Sequence, residues 1–157
     1  MGTLEDIRDP IAVCREIQRV SKAGYISCPT RALESTIGVS KHEHSCELFG
    51  WFYHRWFVEI ERGTLVFKAK NPLMFQNRQR LIEKPRQKML HFFFEGSFEF
   101  EERYLPGHDG ALEDLEQFHA DHKTWLARGA FDEPASLSRY NRWPDRWGPM
   151  PNFSELD

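Results

Sequence analysis

The sequence predicts an α+β fold, with a mostly antiparallel sheet of two hairpins packed by helices and an extended C-terminal tail. Two stretches, 10–22 and 111–126, repeat apolar residues at the spacing of an amphipathic helix. Two others, 49–70 and 90–100, are rich in the aromatic and β-branched residues that favour strands. The resulting order of helices and strand pairs, α-α-ββ-α-ββ-α, is typical of the α+β class.

A single domain is expected over residues 1–129, because a chain of 157 residues can form one hydrophobic core. The remaining residues, 130–157, contain four prolines and two tryptophans. This composition favours an extended, proline-rich tail whose aromatic side chains pack on the domain or on a partner.

The first helix is predicted to begin at Asp9, a favourable N-cap, with Pro10 in the first helical position and Gly24 as its stop. Its buried face would comprise Val13, Cys14, Ile17 and Val20. A short second helix is predicted over 31–37, with Thr30 as its N-cap.

The first hairpin is predicted from two strands, 48–60 and 64–70, joined by a turn. The earlier strand is apolar on both faces, so it is either buried on both sides or covered by a partner. A second hairpin is predicted within 90–100, where alternate positions are phenylalanines and Gly96 marks the turn or a bulge.

The last long helix places His119 and His122 among apolar side chains. A buried polar group without a partner costs about 1–3 kcal/mol, so each imidazole needs a hydrogen bond, a metal or a ligand. We therefore take both as candidate catalytic acid/base residues, since histidine titrates near neutral pH. The alternative is a pair of core histidines bonded to backbone carbonyls.

His42, His44 and Cys46 have a spacing that suits a metal site. Alternate residues of a strand point the same way, and imidazole and thiolate are ligands that zinc prefers. Candidates for a fourth ligand are His54, His119 and His122. The alternative is a polar loop or strand edge without a metal.

Aromatic residues make up 14% of the chain, which is enough to form a bulky core or a surface that binds a partner. Tryptophan, tyrosine and arginine dominate interface hot spots. The candidate binding surface consists of Trp51, Tyr53, Arg55, Trp56, Trp143 and Trp147. A core rich in large rings is the competing interpretation.

The net charge of −3 gives no overall attraction to nucleic acid. Residues 78–88 form a basic run that could contact phosphates or could be an ordinary solvated face. Three cysteines are too few and too widely spaced for a disulfide scaffold, and no stretch is apolar enough to span a bilayer. We therefore expect a cytoplasmic protein that does not bind membranes.

These observations favour a non-catalytic intracellular binding protein, such as an adaptor, inhibitor, immunity factor or chaperone, that acts on a protein partner through its aromatic surface. A homodimer is compatible with this hypothesis. The alternative is a small enzyme or sensor with a histidine-lined pocket that holds a divalent metal such as zinc. A nucleic-acid binder that uses residues 78–88 is a third hypothesis, which the acidity of the chain disfavours.

Overall fold

The computed structural model describes residues 3–36, 50–51, 53–71 and 87–127, without the side chains at 108, 119 and 122–127. Helices and strands are mixed along the chain, and the predicted α+β class is confirmed. The elements are α1 (Pro10–Val20), β1 (Ala23–Pro29), α2 (Arg31–Glu34), β2 (Trp56–Glu61), β3 (Thr64–Ala69), β4 (Met89–Glu95), β5 (Phe100–Arg103) and α3 (Gly107–Ala127).

The strands form two sheets. In one, β1 and β4 pair antiparallel, with Gly24 opposite Phe94 and Cys28 opposite Leu90. In the other, the order is β2-β3-β5. β2 and β3 form the predicted first hairpin. The sequence predicts its first strand over 48–60, but residues 51 and 53–55 are not in a strand and β2 begins at Trp56. β3 also pairs with β5 in the parallel direction.

The predicted second hairpin is not present, because its two strands lie in different sheets. β4 pairs with β1, a strand that the sequence analysis did not assign, and β5 pairs with β3. The chain turns between them at Gly96, whose φ is +73° and whose N–H donates to Lys22 O. Alternating polarity identifies the buried face of a strand but not the strand beside it, which explains the error.

One hydrophobic core lies between the two sheets. The β1–β4 pair contributes Phe92 and Phe94, and the three-stranded sheet contributes Leu65 and Phe67. Phe98, in the connection between β4 and β5, packs its ring 4.6 Å from that of Phe94. The β4–β5 connection is therefore held in place by the packing of Phe98 in the core.

Helix α1 covers this core with one narrow face. Asp9 caps it as predicted, since its Oδ1 accepts a 2.8 Å hydrogen bond from Ala12 N. Cys14 is fully buried, but Val13 and Val20, which the sequence analysis placed on the buried face, are exposed. The helix ends at Val20 rather than near Gly24, and Gly24 lies in β1, where a Cβ would come within 2.5 Å of the Phe94 ring.

The three-stranded sheet is buried on its second face as well. Trp56 and Val58 of β2 face the core, while Phe57 between them faces the other way and is also fully buried. On this second face Arg31 lies over the Phe57 ring, and Asp114 of α3 bonds both Arg31 and Lys68. Ala111 and Leu115 of α3 are buried, each 2% exposed. The two-sided apolar strand predicted from the sequence is thus covered within this chain at these three positions.

Candidate functional site

A buried carboxylate, Glu34 at the end of α2, organises one edge of the molecule. Its side chain is 1% exposed, and its Oε2 accepts a 2.7 Å bond from Lys70 Nζ and a 3.3 Å bond from Trp51 N. Its Oε1 lies 2.8 Å from His54 Nδ1. Lys70 Nζ also donates to Trp51 O at 3.0 Å. One acid therefore connects α2, the end of β3 and the 50–55 segment that leads into β2.

Gly50 allows this segment to approach α2 closely. Its φ is +59°, a left-handed conformation that favours glycine, and its N–H donates to Thr36 O at 2.8 Å. A Cβ at this position would lie 2.7 Å from the Cα of Glu34, which is too close. Position 50 therefore requires glycine for two independent reasons.

His54 is 8% exposed and lies between two carboxylates. In addition to the Glu34 bond, its Nε2 is 3.5 Å from Asp6 Oδ1, a distance at which no hydrogen bond forms here. The Tyr53 ring meets the imidazole edge-on, with centroids 4.8 Å apart. This arrangement fixes the plane of the imidazole and brings one nitrogen towards the half-exposed Asp6.

Glu5, whose backbone carbonyl accepts hydrogen bonds from Arg55 N and Trp56 N, is 2% exposed. Burial raises its pKa, because desolvation disfavours the charged form. Burial also raises the pKa of Cys14 to about 12 and that of Cys28 well above its ordinary value. The two thiols are free and buried, so neither has the properties of a nucleophile.

Of the predicted binding surface, the structure describes Trp51, Tyr53, Arg55 and Trp56, and the 50–55 segment carries the first three. Tyr53 is 49% exposed, Arg55 is exposed, and Trp51 is half-buried. Trp56 differs, because it is 8% exposed and its indole N–H donates to Ile7 O at 2.8 Å. Within this chain Trp56 is a core residue at the base of the surface.

A second charged cluster lies between the three-stranded sheet and α3. Arg31 is 3% exposed at its side chain and is held between the rings of Phe57 and Phe118, at 5.0 and 4.6 Å from their centroids. It bonds Glu59 at 3.1 Å and Asp114 at 2.5 Å. This geometry combines ion pairing with cation–π stacking.

Lys68 completes the second cluster. Its Nζ lies 2.7 Å from Glu59, 3.0 Å from Glu61 and 3.0 Å from Asp114. Burial alone would lower the pKa of Lys68, but the carboxylates outweigh it and raise the pKa. For Asp114, burial is likewise outweighed by Arg31 and Lys68, and its pKa falls. The cluster is an ionic network of two cations and three carboxylates that fastens α3 to the sheet.

Several predicted site residues lie outside the described residues, namely His42, His44, Cys46, Trp143 and Trp147. His119 and His122 lie on α3, as predicted, but their side chains are not among those described. Within the described residues, no group of three or more His, Cys, Asp or Glu side chains is placed to hold a metal ion. The zinc site and the histidine pair therefore stay predictions.

Sequence reasoning missed the residues that organise both clusters, Glu34 and Lys70 in one and Arg31 and Asp114 in the other. A charged residue on a helix or strand usually faces water, and nothing in the local pattern marks these as exceptions. The one available signal is Lys68, which lies within a short strand whose neighbours Val66 and Phe67 are apolar.

Comparisons with protein-family models, curated proteins and solved structures found no match for this chain. Among the helices of the described residues, none is long and apolar enough to cross a membrane.

Proposed function

We propose that this protein is a non-catalytic binding protein whose 50–55 segment, with Tyr53 and Arg55 at its outer side, contacts a protein partner. The observation that carries the proposal is the buried Glu34 carboxylate, which bonds Trp51 N, His54 Nδ1 and Lys70 Nζ. Trp143 and Trp147 of the tail are proposed to extend the same surface.

The Glu34 contacts support binding because they fix a surface segment before any partner arrives. A buried ion pair is often no more stabilising than apolar residues of similar volume. It does, however, impose one geometry, here on Trp51 and His54 beside α2. A segment that is ordered in advance loses less conformational entropy on association, which increases affinity.

The residue types at this surface also support the proposal. Tyrosine and arginine combine a large contact area with hydrogen-bonding groups, and they recur at the centres of interfaces. Tyr53 packs beside Trp51, with ring centroids 6.0 Å apart, and Arg55 follows on the same exposed segment. The partner would therefore present carboxylates and apolar groups side by side.

Site-specific photo-crosslinking tests the proposal. The photoreactive residue p-benzoylphenylalanine would replace Tyr53 in one variant and Tyr104, which is 79% exposed, in a matched control. After irradiation in a lysate of the source cells, position 53 should yield one dominant crosslinked species and position 104 should not. Adding Arg55→Ala to the first variant should abolish that species.

Equal crosslinking from both positions, or a species that survives Arg55→Ala, would contradict the proposed surface. If the crosslinked species is a second copy of this chain, the partner is the protein itself and the assembly is a homodimer. Thermal melting of each variant should show that it is folded, since Tyr53 is 49% and Tyr104 79% exposed.

A second candidate function is acid/base catalysis, and the placement of His54 between Glu34 and Asp6 favours it. A carboxylate at Nδ1 orients an imidazole whose other nitrogen can exchange a proton. Hydrolysis of an activated ester should then exceed that of free imidazole and be lost in His54→Gln. If this enzyme also holds zinc on His42, His44 and Cys46, elemental analysis of the purified protein should find about one zinc per chain.

A further inference from the structure

The N-terminal segment, residues 4–7, is hydrogen-bonded to the start of β2. Its backbone carbonyls on either side of Asp6 accept bonds from Trp56, at 3.1 Å from the amide and at 2.8 Å from the indole. The Asp6 side chain between these two anchors places its Oδ1 3.5 Å from His54 Nε2. The backbone contacts therefore bring the Asp6 carboxylate to the second ring nitrogen of the buried histidine.

The proton of neutral His54 is assigned by its other contact. Glu34 accepts bonds from Lys70 Nζ and Trp51 N, and its Oε1 lies 2.8 Å from His54 Nδ1. Because a carboxylate only accepts, Nδ1 carries the single proton of the neutral ring and Nε2 is left as an acceptor. Nε2 then faces another acceptor, Asp6 Oδ1, and no hydrogen lies between them.

The missing hydrogen leaves a buried oxygen unsatisfied. Asp6 Oδ1 is buried and has no hydrogen-bond partner among the described residues, although the Asp6 side chain as a whole is 39% exposed. Buried acceptors are normally bonded, because an unsatisfied one is costly. A second proton on His54, at Nε2, would turn this nitrogen into a donor and join an imidazolium to a carboxylate.

The charges around His54 act in both directions. Burial opposes a positive charge on the imidazole, whereas nearby carboxylates favour it. The titratable groups that face the ring are Glu34 from α2, Glu5 and Asp6 from the N-terminal segment, Lys70 from the end of β3 and Tyr53 from the same segment as the histidine. Burial raises the pKa of Glu5, so an experiment must separate its titration from that of the histidine.

We propose that His54 and Asp6 form a pH-sensitive contact. Protonated His54 donates from Nε2 to Asp6 Oδ1 and holds the 4–7 segment against the 50–55 segment, whereas neutral His54 makes no such bond. Histidine titrates between about pH 5 and pH 8, so the bond is present at the acidic end of this range and is lost as the pH rises through it. The contact depends only on the fold. Its consequence for partner binding, a 50–55 segment held more firmly at acidic pH, rests on the proposed function.

Nuclear magnetic resonance of isotope-labelled protein tests the contact. The nitrogen shifts of the His54 ring should show a proton on Nδ1 alone at about pH 8 and on both nitrogens at about pH 5.5. Hydrogen exchange of the Trp56 amide, which donates to the 4–7 segment, reports how firmly that segment is held. Its protection factor, relative to that of the Leu65 amide, should be about fivefold higher at the acidic pH.

Two neighbouring carboxylates supply the variant and its matched control. Asp6→Asn should abolish or reverse the fivefold change, because the asparagine amide can donate to neutral Nε2. Glu5→Gln removes an equal charge from the adjacent residue and should preserve the change. A proton on Nε2 at the alkaline pH, a constant ratio in the wild type, or a change that persists in Asp6→Asn would overturn the contact. Loss of the change in Glu5→Gln would assign the pH response to Glu5 and would overturn it as well.

Photo-crosslinking from position 53 at the same two pH values separates this inference from the proposed function. The crosslinked species should form in higher yield at the acidic pH, because a segment that is ordered in advance loses less entropy on association. If the NMR results are as expected and no crosslinked species forms at either pH, the partner-binding surface is wrong and the contact stands. If the species forms and the NMR results fail, the surface stands and the contact is wrong.

Discussion

Single residues with unusual surroundings determine the shape of the candidate binding surface. Glu34 is the clearest example, because its carboxylate is almost fully buried and bonds two side chains and one backbone N–H. The side chain of Lys70 is 2% exposed, so bulk water cannot replace the Glu34 carboxylate in solvating its ammonium group. Burial lowers the pKa of Lys70, and Glu34 only partly restores it. Removing the acid therefore leaves a buried ammonium poorly compensated.

Glu34→Gln should lower the free energy of unfolding by about 3 kcal/mol, the cost of breaking a buried ion pair by removing one partner. The control is Glu16→Gln, which disrupts an exposed pair with Arg19 and should cost less than about 0.5 kcal/mol. Urea denaturation monitored by tryptophan fluorescence measures both values. Similar small losses in the two variants would show that the Glu34 contacts contribute little to stability.

Alanine substitutions at Gly50 and Gly96 can separate the cost of a left-handed backbone conformation from the cost of a steric clash. Both have positive φ, but a Cβ at Gly50 would contact Glu34, whereas a Cβ at Gly96 would meet nothing within 4 Å. Gly96→Ala should cost about 1 kcal/mol for the left-handed conformation alone. Gly50→Ala should cost at least about 2 kcal/mol more, because the close approach to α2 is lost as well. Equal losses would mean that the 50–55 segment can move away from α2 freely.

At the scale of elements, Asp114 links α3 to both α2 and the three-stranded sheet. Ala111 and Leu115 supply its fully buried apolar contacts among the described side chains, and Asp114 bonds both Arg31 and Lys68. Arg31 also donates to the Asp114 carbonyl at 3.3 Å. Among the described side chains of α3, those at 113, 116, 117, 120 and 121 are exposed, and three of them are acidic. We therefore expect the docking of α3 to depend strongly on the Asp114 carboxylate.

Asp114→Asn should therefore loosen α3 selectively. Since Asp114 is 17% exposed at its side chain, the expected loss is about 2 kcal/mol, below that of a fully buried pair. Hydrogen exchange should show faster exchange for α3 amides and little change in β1 and β4, because local opening of one element spares the others. Glu113→Gln, at an exposed position of the same helix, should change neither.

Uniform acceleration of exchange across α3, β1 and β4 in Asp114→Asn would contradict this expectation. It would mean that the helix and the β1–β4 sheet unfold as one cooperative unit, with Asp114 contributing to the whole. Unchanged exchange in α3 would mean instead that Ala111 and Leu115 suffice to dock the helix.

At the scale of the whole molecule, sequence patterns predicted local elements and their buried faces better than their partners. The cap at Asp9, the β2–β3 hairpin and the inward positions of Ala111 and Leu115 follow from spacing and residue type. The pairing of β1 with β4 joins residues 60 to 72 positions apart, and nothing local specifies it. Long-range pairing is selected by the assembled core.

The charged clusters were unpredictable for a related physical reason. Arg31 and Lys68 are buried because Glu59 and Asp114, distant in sequence, lie beside them in the fold. An unpaired charge would not be buried at this position, because its desolvation would be too costly. The burial of each of these residues is therefore explained only by the presence of its oppositely charged partners. This interdependence also makes the stability of the molecule sensitive to protonation.

Acidification should destabilise the protein through the second cluster. Burial by itself would raise the pKa values of Asp114 and Glu61, but the neighbouring cations outweigh it and hold them below the ordinary values of 3.8 and 4.5. The unfolded chain therefore binds more protons in this range. The stability that these carboxylates contribute is present above the ordinary values and is lost as the pH falls through the lowered ones.

Glu5 should oppose this trend. Its pKa is raised by burial above the ordinary value of 4.5, so its contribution is present below that value and is lost as the pH rises through the raised one. Urea midpoints measured between about pH 2 and pH 7 should thus fall on acidification in the wild type, less steeply in Asp114→Asn and more steeply in Glu5→Gln. Parallel profiles for the wild type and the two variants would show that Asp114 and Glu5 titrate alike in the folded and unfolded protein. The acid sensitivity would then not originate in the ionic network.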